Sequence, residues 1–319
     1  MLGCALGPWL TGVLGSSDFH TIPLTGGASD RWYARVTGAP VERLSGVRSA
    51  VVMGVPPHLS RVIQHFVSIR VLLEQHDVPV PTCYVPPGRE GLALLEDLGD
   101  VTLRDRATAA AARKPLYESA VRLLATLHEV PPDYCRCPAM KLHFDRSKYD
   151  FEFRFHVHRW VVGHYFSATP TPAERQALDE VFGWIGAELA RSPRVFTHRD
   201  FQSTNLMVSD SDALSLIDFQ DARQGTRAYD LASLLYDSYV DLEEGERLRF
   251  EQAYLDCLPS RGRPERETFH RLLVVAALQR KLHDAGAFVY TAHARGKTAY
   301  LDWVPGTLDM VQDLSLIHI

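Results

Sequence analysis

The stretch that decides the reading is His198-Arg199-Asp200-Phe201-Gln202-Ser203-Thr204-Asn205, with Asp218-Phe219-Gln220 beginning thirteen residues after the Asn. Asp200 and Asn205 are close enough in sequence to project from one tight loop. Leu206-Met207-Val208 reads as a strand, Ser209-Asp210-Ser211-Asp212 as a turn and Leu214-Ser215-Leu216-Ile217 as the returning strand. A hairpin brings its ends together, so Asp218 is expected beside Asn205. Phosphoryl transfer needs a cation on the phosphates, an in-line acceptor and a group that orients the acceptor's hydroxyl. Asp200 suits the last task. Asn205 and Asp218 suit Mg2+, because a neutral amide adds an oxygen ligand without adding repulsion. Taken singly, the three residues are ordinary loop caps and turn formers. Together, with the hairpin between them, they point to a phosphotransferase site.

The bulk composition agrees with an enzyme of ordinary globular type. The chain has 319 residues, 46% hydrophobic and 23% charged, with a net charge of −5. That is long enough for two sizeable cores, and the charge gives no reason to expect nucleic acid. Five cysteines without regular spacing read as reduced thiols, and Cys135-x-Cys137 lacks the second pair of a zinc site. The apolar start lacks a basic flank and is interrupted by Pro8 and Gly12, so it is not read as a targeting segment. With no long apolar run, the expected location is the cytoplasm and the expected state a monomer.

The first hundred residues read mostly as strands: Phe19 to Leu24, Trp32 to Val36, Ser49 to Met53 and, running into a turn, Leu92 to Gly99, with one helix over His65 to Gln75. Helices follow over Lys114 to His128, Thr171 to Leu189, Asp230 to Tyr239 and Glu265 to Ala285. Thr171, Pro172 and Glu174 form a start signal for the second. Asp230 reads as a helix N-cap that also braces the loop. The expectation is an α+β fold with a small β-rich lobe over 1–97 and a larger helical lobe over 98–313. Residues 314–319, Leu-Ser-Leu-Ile-His-Ile, resemble the translation of a sequencing adapter and are expected to be non-native.

At these residues the chain resembles the aminoglycoside-phosphotransferase/choline-kinase branch of the bilobal protein-kinase-like fold. The likeness implies ATP and Mg2+ as its companions and a small molecule as its acceptor. Leu94-Leu95-Glu96-Asp97-Leu98-Gly99 is similar to the hinge whose backbone meets adenine, which places Glu96 and Leu98 at the nucleotide. Within the branch, the strings Ile217-Asp218-Phe219-Gln220-Asp221-Ala222, Tyr229 to Asp237 and Leu278-Gln279-Arg280-Lys281-Leu282 resemble the anomeric N-acetylmuramate/N-acetylglucosamine kinases of cell-wall recycling. Such enzymes make a sugar 1-phosphate.

One departure from the wider kinase pattern is informative. The strand Ala50-Val51-Val52-Met53-Gly54 has no Lys where kinases hold the nucleotide phosphates. Arg31 and Arg35 are candidate replacements, since a guanidinium grips phosphate through two parallel bonds; a solvent-facing strand residue explains Arg35 equally well. Gly27 and Ser29, in the turn Gly26-Gly27-Ala28-Ser29, are candidates to cover the phosphates, and an ordinary hairpin turn explains them too. Glu152 and Arg280 are candidates for sugar hydroxyls or for structural roles, and Asp221 for a position near the metal or in a turn. His156, His158 and His164 do not share a helix face and are read as solvated or packed rather than as metal ligands. Two other functions stay open. An aminoglycoside or other small-alcohol kinase would use the acidic run Asp237, Asp241, Glu243, Glu244 and Glu246, which a solvated helix end also explains. A non-catalytic nucleotide-binding protein would account for the missing Lys.

Overall fold

A computed structural model describes residues 3–24, 31–56, 60–88, 91–133 and 135–318. The chain divides into two compact units, residues 1–100 with 207–221, and residues 101–206 with 222–319.

The first unit contains α1 (Gly3–Leu14), β1 (His20–Leu24), β2 (Trp32–Thr37), α2 (Ala39–Ser45), β3 (Ser49–Gly54), α3 (Ser60–Glu74), β4 (Cys83–Val85) and β5 (Leu92–Glu96). Among the described residues the five strands form one antiparallel sheet in the order β1-β2-β3-β5-β4. Side chains alternate across it. Val36, Ala50, Val52, Leu92 and Leu94 bury one face against Leu10 and Val41 from the two short helices. Arg35, Val51 and Leu95 are cross-strand partners and point to the other face. Gly54 is opposite Trp32, whose indole lies where a side chain at 54 would sit, a Cβ there being only 2.0 Å from the ring. The apolar start, read as broken by Pro8, forms α1 after all. Leu6, Trp9, Leu10 and Val13 pack on the sheet, and that burial outweighs the hydrogen bond that Pro8 cannot make.

The second unit is largely helical. It holds α4 (Leu103–Arg106), α5 (Ala110–His128), α6 (Arg146–Glu152), a π-helical segment over Phe153–Tyr165, α7 (Pro172–Arg191), β6 (Arg194–Thr197), β9 (Arg223–Thr226), α8 (Arg227–Leu235), α9 (Glu244–Cys257), α10 (Arg266–Arg295) and α11 (Val304–His318). The start signal at Thr171 is realised: its hydroxyl takes the Glu174 amide and the Glu174 carboxylate takes the Thr171 amide. The long α10 is the axis of the unit, with buried residues along its whole length. It packs so closely on the π-helical segment that a Cβ at Gly286 would lie 2.3 Å from the His156 carbonyl oxygen. In α11, Leu314 is buried and Leu316 is exposed.

Between β6 and β9 the chain forms the expected hairpin, β7 (Leu206–Val208) and β8 (Leu214–Leu216). From Met207 to Asp221 it belongs to the first unit. The Leu216 amide bonds the Pro79 carbonyl at 2.8 Å, and Phe219 stacks on Phe66 of α3 at 5.2 Å between centroids.

Candidate active site

The loop after β6 is held from beneath by two buried carboxylates. Asp230 accepts the His198 amide at 2.6 Å and the Arg199 amide at 2.9 Å. Asp237 accepts the Ser203 amide at 2.8 Å. Asp230 is therefore not the N-cap of α8. Thr226 caps that helix, and Asp230 lies inside it, one turn on, where its side chain reaches the loop. The helix also stops at Leu235 rather than Tyr239, because Asp237 turns inward to the loop. Behind Asp230 stands His128, whose Nδ1 pairs with the Tyr254 hydroxyl at 2.7 Å. This clasp fixes Arg199 at φ 83°, a left-handed conformation uncommon for a side chain of its size.

Asp200 follows that strained residue. Its Oδ1 accepts a hydrogen bond from Arg280 Nη2 at 2.8 Å, while Oδ2 has no hydrogen bond among the described residues. The Asp200 side chain is 24% exposed, whereas that of Arg280 is 3% exposed. Burial pushes the Asp200 carboxyl up, but the charges of Arg280 and Arg199 outweigh it and hold the group well below the usual carboxylate range. Asn205 closes the loop. Its Nδ2 donates to the Asp200 carbonyl at 2.8 Å, which leaves its Oδ1 as the unengaged atom.

Asp218, in the first unit, is the second left-handed residue of the motif, with φ 66°. Its Oδ1 accepts from Arg31 Nη2 at 2.5 Å and from Gln220 Nε2 at 2.9 Å, so Oδ2 is left. The side chain is 36% exposed. An amide Oδ1, as at Asn205, and a carboxylate Oδ2, as at Asp218, are each a kind of oxygen that Mg2+ accepts as a ligand. Among the described residues no group of three or more His, Cys, Asp or Glu side chains is gathered as a metal cluster.

The other sequence candidates fall into distinct surroundings. Arg31 is buried against Asp218. Arg35 is committed elsewhere: it grips Asp97 at 2.6 and 3.0 Å and Asp100 at 2.9 and 3.0 Å, fixing the end of β5. At Glu96 the amide bonds the Thr82 carbonyl, and the carboxylate takes the Thr82 amide and hydroxyl, both at 2.9 Å. Leu98 is half-buried in the turn that Asp97 and Gly99 close. Asp221 is half-buried at the end of the hairpin. Gly27 and Ser29 lie outside the described residues.

Glu152 is buried where α6 meets α10. Its Oε2 takes Gln279 Nε2 at 2.9 Å and its Oε1 lies 3.1 Å from Lys148 Nζ. Burial raises its carboxyl, but the surrounding positive groups, Lys148 and Arg199 among them, bring it down to about 2. The three histidines of the π-helical segment are solvated or partly packed, as expected: His156 and His158 are half-buried and His164 is exposed. His156 lies against His283 at 4.1 Å between centroids, His158 pairs with Asp179 at 3.0 Å and His164 stacks on Trp160 at 4.3 Å. The acidic run is a largely solvated helix start: Asp241, Glu243 and Glu244 are exposed, and only Asp237 is buried. Glu243 and Glu246 form a reciprocal cap on α9, Glu246 also takes Arg113 at 2.9 Å, and Asp237 holds the loop.

A family model described as "Phosphotransferase enzyme family" matches residues 20–269. The chain belongs to that family. Three curated relatives are each named N-acetylmuramate/N-acetylglucosamine kinase. The one from Pseudomonas putida is 31% identical over 281 residues, covering 87% of this chain and 78% of the relative. The one from Neisseria meningitidis is 27% identical over 313 residues, covering 96% and 89%. The one from Pseudomonas aeruginosa is 28% identical over 287 residues, covering 89% and 80%. Among solved structures, the ADP-bound aminoglycoside phosphotransferase APH(2'')-Ib aligns with a TM-score of 0.65 at 13% identity, covering 98% of this chain and 99% of that one. The choline kinase LicA from Streptococcus pneumoniae aligns with a TM-score of 0.64 at 14% identity, covering 97% and 98%. These likenesses show the kinase-like α+β fold expected from the sequence.

Proposed function

We propose that this phosphotransferase is an ATP-dependent kinase that phosphorylates the C1 hydroxyl of N-acetylmuramate, N-acetylglucosamine or both, giving a sugar 1-phosphate for peptidoglycan recycling in the cytoplasm. The observation that carries the acceptor is the shared name of the relatives, at 26–31% identity over most of this chain.

In this reading Asp200 orients the acceptor hydroxyl through Oδ2 and takes its proton. Arg280 makes Asp200 a weak base, so it accepts the proton only as the new P–O bond forms and the hydroxyl becomes acidic. A hemiacetal hydroxyl is more acidic than an ordinary alcohol, which suits so weak a base. Asn205 and Asp218 are the residues that would hold Mg2+. When bound, that ion neutralises the nucleotide phosphates and fixes their orientation. Arg31 is the side chain proposed to take the part of the missing strand Lys, by turning from Asp218 to phosphate oxygens. Arg35, held by two carboxylates, is assigned to the architecture of the hinge. Glu152 acts through Gln279 and Lys148 rather than by touching the acceptor.

Incubation with Mg-ATP and each candidate acceptor tests the reading, with products followed by phosphorus NMR and mild-acid treatment. A glycosyl 1-phosphate is lost in mild acid. An acid-stable phosphate ester would overturn the C1 assignment while leaving the kinase assignment standing. Tight ATP binding with no turnover on any acceptor would favour a non-catalytic protein.

A further inference from the structure

Arg280 does not belong to Asp200 alone. Its Nη2 lies 2.8 Å from Asp200 Oδ1 and 3.1 Å from Asp284 Oδ1, so one nitrogen is shared between two carboxylates. Arg280 and Asp284 stand four residues apart on α10, on one helix face. Asp284 is itself pinned. Lys281 Nζ lies 2.7 Å from its Oδ2 and donates to Ser238 Oγ at 2.8 Å, and Thr307 Oγ1, which donates to the Trp303 carbonyl at 2.7 Å, lies 3.1 Å from the same hydroxyl. The other terminal nitrogen, Arg280 Nη1, reaches the Arg199 carbonyl at 3.3 Å and the Tyr229 hydroxyl at 3.4 Å. Arg280 Nε is buried and has no partner.

This arrangement is unusual for an arginine facing a carboxylate, which ordinarily docks two N–H groups on both oxygens. A second bond at Asp200 would satisfy the orphan Nε, whose burial without a partner is costly. It would also occupy Oδ2, the oxygen that the acceptor hydroxyl needs. We infer that Asp284 is a positioning residue that divides Arg280 between two carboxylates, so that Asp200 keeps one bond from Arg280 while its Oδ2 is left open for the acceptor. The inference rests on the reading of Asp200 as the group that orients that hydroxyl.

Removing Asp284 alone would leave Lys281 buried without a counterion. The test is therefore the double change Asp284→Asn with Lys281→Met, which removes one charge of each sign. The expected result is a fall in kcat of about tenfold or more and a raised KM for the acceptor, with the KM for ATP within about twofold. The decisive measurement repeats the double change in an Arg280→Gln background. There Asp284 has no arginine to divide, so the further loss in kcat should be less than about twofold. A variant that melts like the unchanged protein and keeps kcat and acceptor KM within about twofold overturns the inference. Equal losses in both backgrounds also overturn it, since they would mark Asp284 as merely structural. Should the double variant not fold, Asp284→Glu, which keeps the charge and moves the carboxylate by one methylene, is measured by the same cycle with the same expected and overturning results. Asp200→Asn serves as the control for the underlying reading. Full turnover in that variant sinks the role of Asp200, whereas its inactivity beside an indifferent Asp284 sinks only the present inference.

Discussion

Asp200 and Asp218 each sit against an arginine of their own compact unit, yet the two pairs are built differently. Arg280 comes from the middle of a 30-residue helix, with its guanidinium 3% exposed and tied to Asp200, Asp284, the Arg199 carbonyl and the Tyr229 hydroxyl. Arg31 lies immediately before β2 and meets Asp218, whose side chain is 36% exposed. The Asp200 loop is clasped by three backbone amides on two buried carboxylates. Asp218 rests on a short hairpin, with Gln220 as its side-chain neighbour. The lesson is a division of labour. A group that positions an acceptor gains from being over-determined. On the proposed roles, Asp218 would exchange Arg31 for a metal and a nucleotide, which come and go, and its side chain, 36% exposed against 24% for Asp200, is the more open of the two.

The largest effect should separate the two carboxylates by kinetic parameter. Asp200→Asn is expected to lower kcat by about 10²–10⁴-fold with little change in the KM for ATP. Asp218→Asn should act mainly on the use of Mg-ATP, raising the Mg2+ needed for half-maximal rate by about tenfold or more. Steady-state kinetics at varied Mg2+ checks both. Asp200→Asn with unchanged kcat would end the comparison.

The clasp beneath the loop comes next. Asp230→Ala leaves two amides without acceptors, where Asp230 now takes them at 2.6 and 2.9 Å. A loss of about 3–5 kcal/mol in unfolding free energy is expected, together with reduced kcat, since a buried network loses its centre. Denaturant titration measures the first. A change below about 1 kcal/mol would show that the loop holds itself.

The two sheet arginines sharpen the contrast further. Arg31→Ala should raise the KM for ATP by about tenfold and also lower the melting temperature, since it removes one partner of a largely buried ion pair. Arg35→Ala should act on stability alone, costing about 1–3 kcal/mol while leaving the nucleotide KM near its original value. If Arg35→Ala weakened ATP use more than Arg31→Ala, the assignment of the phosphate cation would pass to Arg35.

The smallest expected effect concerns pH. Burial, with His283, Arg199 and Lys148 nearby, lowers the His156 pKa from 6.5 to about 2, against the opposing pull of Glu152. In the folded state His156 therefore stays neutral while the unfolded chain binds a proton. Its contribution is complete above the unfolded pKa and declines as pH falls, by up to about 1.4 kcal/mol per pH unit below about 6.5. Melting temperature should fall more steeply between about pH 6.5 and 5 in the unchanged protein than in His156→Gln. Parallel curves would remove His156 from that account.

What the sequence determined by itself is the local part of this protein. Local patterning marked β1, β2, β3, β5, β7 and β8 but not β4, β6 or β9, Thr171 and Glu174 marked a helix start, and the order Asp200, Asn205, hairpin, Asp218 pointed to a phosphotransferase. Each depends on residues in one short stretch of chain, the longest being Asp200 to Asp218, so local spacing suffices to read it. The helix α1 was missed because Pro8 spoils its local pattern and only packing against Val36, Val52 and Leu94 repairs it. For Asp230 the expected brace on the loop is present, 31–32 residues away at His198 and Arg199, while its expected place as N-cap belongs to Thr226, because the helix begins four residues earlier than its local pattern suggests. Tertiary structure alone decided which arginine serves which carboxylate. Arg31 meets Asp218 across 187 residues and Arg280 meets Asp200 across 80, and no periodicity carries information over such distances. The sequence offered Arg35 on equal terms with Arg31, and only the sheet, by setting Arg35 against Asp97 and Asp100, told the two apart.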